Sequence, residues 1–148
     1  MDADWANERS DCSSTSGYVY KLTRGAISWS SRKQSSIALS SAEAEFIAGA
    51  HAAKEAVWLR RLLTELGLLD HDHNATVLCM DSQSAMAIAK NPQFRNRTKH
   101  IDVRYHLLRS EVEDDEIELK YTPTGDQVAD ALTKALNHEK HMKFAKEM

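Results

Sequence analysis

The run "ATVLCMD", residues 75–81, leads without a break into "SQSAMAIAK". A near-continuous apolar stretch of strand length fits a strand buried on both faces, and a helix starting on the next residue covers one of them. The helix is expected to stop at Asn91-Pro92, because the residue before a proline is pushed out of the helical region. A chain built this way folds as layered α/β rather than as a bundle or a sandwich. The run ends on Asp81, at the C-terminal end of the buried strand, where open α/β sheets generally hold ligands. As an alternative, the same residue serves as N-cap of the helix that follows.

The rest of the chain falls around this unit. "SGYVYKL" and "AISWSSRK" flank "TRG" and predict a hairpin over about residues 16 to 33 with a glycine turn. Ser40 followed by Glu43 has the spacing of a capping box, and good helix formers then continue to Gly67, a C′ residue by position. "IDVRYHLLRSEVEDDE" reads as a further helix, "IELKYTP" as a strand and "QVADALTKAL" as a closing helix, with residues 137–148 as a helical tail. At 148 residues, without internal repeats or a long linker, residues 1–148 read as a single domain.

Composition excludes several classes. No apolar run approaches the ~20 residues of a membrane span, so no membrane partner is expected. The acidic start "MDADWANER" lacks the order of a signal peptide, which predicts an intracellular chain. Cys12 and Cys79 are too far apart for a metal knuckle, and His71 and His73 have no third ligand beside them, so no zinc site is expected. Cys79 reads as a buried thiol. With a formal net charge of −3, any nucleic acid must be held by a local basic patch.

Glu43 and Glu45 lie two residues apart on the long helix and so point to nearly opposite sides. Glu45 heads the longer stripe of small apolar residues, Ala48, Gly49, Ala52, Ala56, Leu59 and Leu63, whereas Glu43 has the capping role. That leaves Glu45 as the acid available for chemistry. Asp130, taken alone, reads as an acid favouring a helix dipole.

Seven blocks in order, "DADWA", "STSGYVYKL", "ISWSSRKQSSIALSSAEAEFIA", "AAKEAVWLRRLL", "DSQSAMAIAKNP", "RTKHIDVRYHLLR" and "QVADALTK", resemble the ribonuclease H domain of the polymerase polyprotein of copia-type LTR retrotransposons. The resemblance spans nearly the whole chain. It implies a ribonuclease H-like α/β fold: a mixed five-stranded sheet, its first three strands antiparallel, with helices on both faces. It also implies a catalytic and metal-binding set of Asp2, Glu45, Asp81 and Asp130, with Asp4 an alternative to Asp2, holding two Mg²⁺ ions or, alternatively, Mn²⁺. Carboxylates suit a hard ion that prefers oxygen, and two such ions about 3.5 to 4 Å apart can ready a water and steady a leaving oxygen.

The implied activity is endonucleolytic cleavage of the RNA strand of RNA/DNA hybrids during reverse transcription, beside the reverse transcriptase domain of the parent polyprotein. The implied setting is cytoplasmic or nuclear, in retrotransposon particles. For substrate contact the sequence offers Lys90, Arg95, Arg97, Lys99, His100 and Arg104, and secondarily Arg32 and Lys33. Trp29 reads as core or edge packing rather than a stacking platform. Two departures stand out. "YTPTGDQVAD" lacks the histidine that cellular relatives carry before the last helix, and only Met1 precedes Asp2. The first strand is therefore expected to be truncated and Asp2 to be held loosely at a frayed end. The second reading is thus a catalytically inactive ribonuclease H-fold remnant that at most binds nucleic acid.

Overall fold

The computed structural model describes residues 1–8, 10–23, 25–70, 74–91 and 106–148. Chain order is β1 (Asp2–Asp4), β2 (Thr15–Leu22), β3 (Gly25–Lys33), α1 (Ser41–Glu65), β4 (Thr76–Met80), α2 (Gln83–Lys90), α3 (Leu107–Glu113), β5 (Ile117–Tyr121) and α4 (His138–Glu147). Between β5 and α4 lie two 3₁₀ turns, Thr124–Asp126 and Val128–Leu132. This mixed α/β architecture is compatible with a ribonuclease H-like fold.

The strands form two hydrogen-bonded groups rather than the one continuous sheet expected. β1, β2 and β3 make an antiparallel sheet in that order, and β4 pairs with β5 in parallel. The groups meet where the Met1 ammonium donates to the Cys79 carbonyl at 2.8 Å. β1 is three residues long and pairs along its whole length with Thr15–Gly17, so it offers β4 little edge to extend the ladder. Nor is β4 buried on both faces as the apolar run predicts, since alternate residues point to opposite faces and only one of these is covered. Leu78 and Met80 are buried while Val77 is 49% exposed.

Alternation along β2 sorts its two faces. Ser16, Tyr18 and Tyr20 face α1, where the Tyr20 hydroxyl donates to the Ala52 carbonyl at 2.7 Å. Gly17 faces the Val128–Leu132 turn. A Cβ there would stand 2.7 Å from Thr133 Cγ2 and 3.3 Å from the Ala129 carbonyl oxygen, so only glycine lets the turn lie this close. In the hairpin Thr23 is left-handed (φ 59°), and Gly25 pairs with Leu22 as the first residue of β3. Trp29, on β3 at the edge of its sheet, is 63% exposed and takes no part in the core.

Both ends of α1 follow from local chemistry. Ser40 Oγ accepts the Glu43 N–H at 3.2 Å, and Glu43 Oε2 accepts the Leu39 N–H at 3.0 Å, one residue before the partner of a standard capping box. At the other end Gly67 (φ 69°) closes a Schellman motif, its N–H on Thr64 O and that of Leu68 on Leu63 O. The first three turns are buried nearly all round, because α1 packs on β1, β2 and β4 and also against α2 and α3. Phe46, Ile47, Met80 and Leu108 are the largest side chains at the centre of this core.

The closing helix predicted over "QVADALTKAL" does not form. That segment is a 3₁₀ turn and an irregular stretch, held against Gly17 and fixed by side-chain bonds to Asp2. The C-terminal helix lies further on, as α4, capped by Asn137 and anchored through the fully buried Phe144.

Candidate metal centre

Asp2, on β1, pairs opposite Gly17 and is fully buried. The expectation of a loosely held first acid therefore fails. Thr133 Oγ1 donates to Asp2 Oδ2, Lys134 Nζ lies 3.0 Å from Oδ1, and the next residue's N–H, that of Ala3, donates to Glu45 Oε1 at 3.0 Å. An end tied down at this many points does not fray. Asp4 is half-buried, with its carboxyl raised by burial.

Glu45 comes from the first turns of α1. Asp81 follows β4 directly, where Thr124 Oγ1 donates to its Oδ2 at 2.7 Å. Asp81 is not the N-cap of α2; Ser82 is, its Oγ accepting the Ala85 N–H at 3.1 Å. Oxygens of Asp2, Glu45 and Asp81 lie within 4.8 Å of one another, so one residue from each of β1, α1 and the end of β4 converges on a single point.

The electrostatics of this point are unfavourable to bare charge. Burial, then the neighbouring Asp2 carboxylate, pushes the Glu45 carboxyl up to about 8. Asp2 is also raised, chiefly by burial, against the lowering influence of Thr133 and Lys134. Glu45 Oε2 is buried and has no hydrogen-bond partner among the described residues. A buried carboxylate oxygen left unpaired beside two further acids fits a hard cation such as Mg²⁺, whose ligands are oxygens.

Asp130, 1% exposed, is bound differently. Lys134 Nζ lies 3.2 Å from its Oδ1 and Lys140 Nζ, from α4, 2.6 Å from its Oδ2. Burial works to raise its pKa, but the two ammonium groups outweigh burial and hold the carboxyl below its ordinary range. The structure thus gathers three of the four expected acids directly and links the fourth to Asp2 through Lys134. Sequence reasoning passed over Lys134 and Lys140; the i,i+4 spacing of Asp130 and Lys134 was the available signal for the first.

Of the expected substrate-binding residues, Lys90 ends α2 and its ammonium donates to the Leu119 carbonyl at 3.2 Å. Arg95, Arg97, Lys99, His100 and Arg104 lie outside the described residues. Arg32 is exposed on β3, and Lys33 pairs with Asp11 at 2.8 Å. Cys79, expected to be buried, is half-buried and free. Among the described residues no helix is long and apolar enough to cross a membrane.

An α/β fold presenting a converged carboxylate cluster at the end of a parallel strand defines a class of candidate metal-dependent proteins. Comparison with known proteins narrows it. The chain is 45% identical over 139 residues to the retrovirus-related Pol polyprotein from transposon TNT 1-94 of Nicotiana tabacum, covering 94% of this chain and 10% of that protein. It is 39% identical over 147 residues to the corresponding polyprotein from transposon RE2 of Arabidopsis thaliana and 40% identical over 144 residues to that from RE1 of the same plant. These alignments cover 99% and 97% of this chain and again 10% of each relative. The chain belongs with the Pol polyproteins of copia-type transposons and spans about a tenth of their length. No family model and no solved structure matches it.

Proposed function

We propose that this segment is the ribonuclease H module of such a polyprotein, cleaving the RNA strand of RNA/DNA hybrids with divalent metal. The observation that carries the reading is the meeting of Asp2, Glu45 and Asp81 within 4.8 Å, with Glu45 Oε2 buried and unpartnered. The relatives support the polyprotein setting, in which the reverse transcriptase segment is the natural partner.

When bound, Mg²⁺ or Mn²⁺ ions supply activation of the attacking water and stabilisation of the leaving 3′ oxygen. The chain's own residues orient the ligands. The Ala3 N–H fixes Glu45 Oε1 and leaves Oε2 for an ion, and Thr124 does the same for Asp81 by occupying Oδ2. Thr133 and Lys134 set the plane of the Asp2 carboxylate.

The test is incubation of the purified chain with end-labelled RNA/DNA hybrid, with and without Mg²⁺. Metal-dependent cleavage is expected, and Asp81→Asn is expected to lower it at least about 10²-fold while the protein stays folded. Cleavage unchanged by Asp81→Asn would remove the assignment.

One observation favours a second reading, hybrid binding without cleavage: the fourth acid, Asp130, is taken up by two lysines. Retention of hybrid in a gel-shift without any cut product in Mg²⁺ or Mn²⁺ would select it.

A further inference from the structure

The carboxylates are answered from the C-terminal part of the chain by lysines. Lys134 Nζ stands 3.0 Å from Asp2 Oδ1 and 3.2 Å from Asp130 Oδ1, and so bridges two acids that are themselves 0% and 1% exposed. Of the two acids Lys140 pairs with Asp130 only, and it also donates to the Thr124 carbonyl at 3.3 Å. An ion shared by Asp2 and Asp130 would need oxygens at about 2.0 to 2.1 Å if it were Mg²⁺, and an ammonium already holding both oxygens fills the same gap.

Like charge leads to the same conclusion, because a cation entering between Asp2 and Asp130 would meet the Lys134 ammonium and be repelled until Lys134 left. The route out exists, because the Lys134 side chain is 31% exposed and its backbone follows the 3₁₀ turn rather than sitting within a regular element.

We propose that Lys134 is the resident counter-ion of the Asp2–Asp130 pair: the protein takes its first divalent ion at Asp2, Glu45 and Asp81, and admits a second between Asp2 and Asp130 only when the Lys134 ammonium withdraws. This rests on the metal-dependent reading above and assigns Lys134 as a positioning residue that sets how many ions the free protein holds.

Mn²⁺ binding to the 148-residue chain, without nucleic acid, tests it by counting free ion with electron paramagnetic resonance. The wild type is expected to hold one ion through the micromolar to low millimolar range. Lys134→Met is expected to hold two, the second at least tenfold tighter than any second ion of the wild type, and its metal-free melting temperature is expected to fall and to recover on adding Mn²⁺. Lys140→Met is expected to keep a single ion. Equal ion counts and affinities in wild type and Lys134→Met overturn the inference, as does a second ion gained equally by Lys140→Met. A wild type that binds no ion removes the metal-dependent reading and this inference together, whereas binding unaffected by Lys134→Met removes the inference alone. Should Lys134→Met not fold, limited acetylation of the wild type followed by mass spectrometry decides the matter. Lys134 is expected to become several-fold more reactive only as Mn²⁺ is raised beyond the first equivalent, and constant reactivity refutes its withdrawal.

Discussion

Glu45 concentrates the energetics of the site in one side chain. Its folded-state carboxyl at about 8, against an ordinary 4.5, means that the folded chain binds a proton more tightly than the unfolded chain does. Stability therefore falls as pH rises through that window, by up to about 1.4 kcal/mol per pH unit, with the penalty complete above pH 8. Urea unfolding in chelator from pH 5 to 8.5 is expected to show this decline for the wild type and a flatter curve for Glu45→Gln; parallel curves would contradict the assignment. The adjacent pair offers a second contrast. Glu45→Gln is expected to weaken Mg²⁺ binding at least about tenfold, whereas Glu43→Gln keeps an oxygen acceptor for the Leu39 N–H and is expected to leave ion binding unchanged and to cost less than about 1 kcal/mol of stability. Isothermal titration on both variants measures it, and equal losses would show that the two acids share one role. The difference between them was legible from spacing, since two residues on a helix face apart. Lys140 was not, because it reaches Asp130 across ten positions and a tertiary contact leaves no periodic trace.

Elements place these side chains by close approach. Gly17 is the clearest instance: it admits the Val128–Leu132 turn against β2 and so brings Thr133 and Lys134 to Asp2. Gly17→Ala is expected to cost about 1 to 3 kcal/mol, because the added methyl meets the Ala129 carbonyl oxygen as well as side-chain atoms. Thermal melting together with Mg²⁺ titration would register it, and a variant as stable as the wild type would show that the turn gives way freely. The hairpin, α1 with both its caps, and the β4–α2 junction were all readable from sequence, since each is fixed by neighbours a few residues away. The closing helix was misread for the opposite reason. "QVADALTKAL" has helical propensity, but its backbone is committed to lying along Gly17 and carrying Thr133 and Lys134 to Asp2. Phe144 likewise gave no sign in a polar tail that it would be fully buried.

At the scale of the whole molecule, the carboxylate cluster sits at a seam. Asp2 belongs to the three-stranded sheet and Asp81 to the end of the two-stranded one, while Glu45 comes from the helix that packs on both. A cation at their meeting point ties the two groups together, so Mg²⁺ is expected to stabilise the whole fold, by about 2.7 kcal/mol at a hundredfold excess over its dissociation constant. Differential scanning calorimetry with and without Mg²⁺ would detect the shift, which Asp81→Asn should largely abolish; an unaltered melting temperature in the wild type would argue against an ion at the seam. The antiparallel order of the first three strands agrees with the resemblance, and a short β1 was expected; the division of the strands into two hydrogen-bonded groups was not.

That division has a practical corollary. A chain severed between Asp70 and Asn74 would leave Asp2 and Glu45 on one piece and Asp81 and Asp130 on the other. On the proposed metal-dependent reading neither piece would own the full set of acids, and metal capture by the mixture is expected to report whether the two parts have found each other.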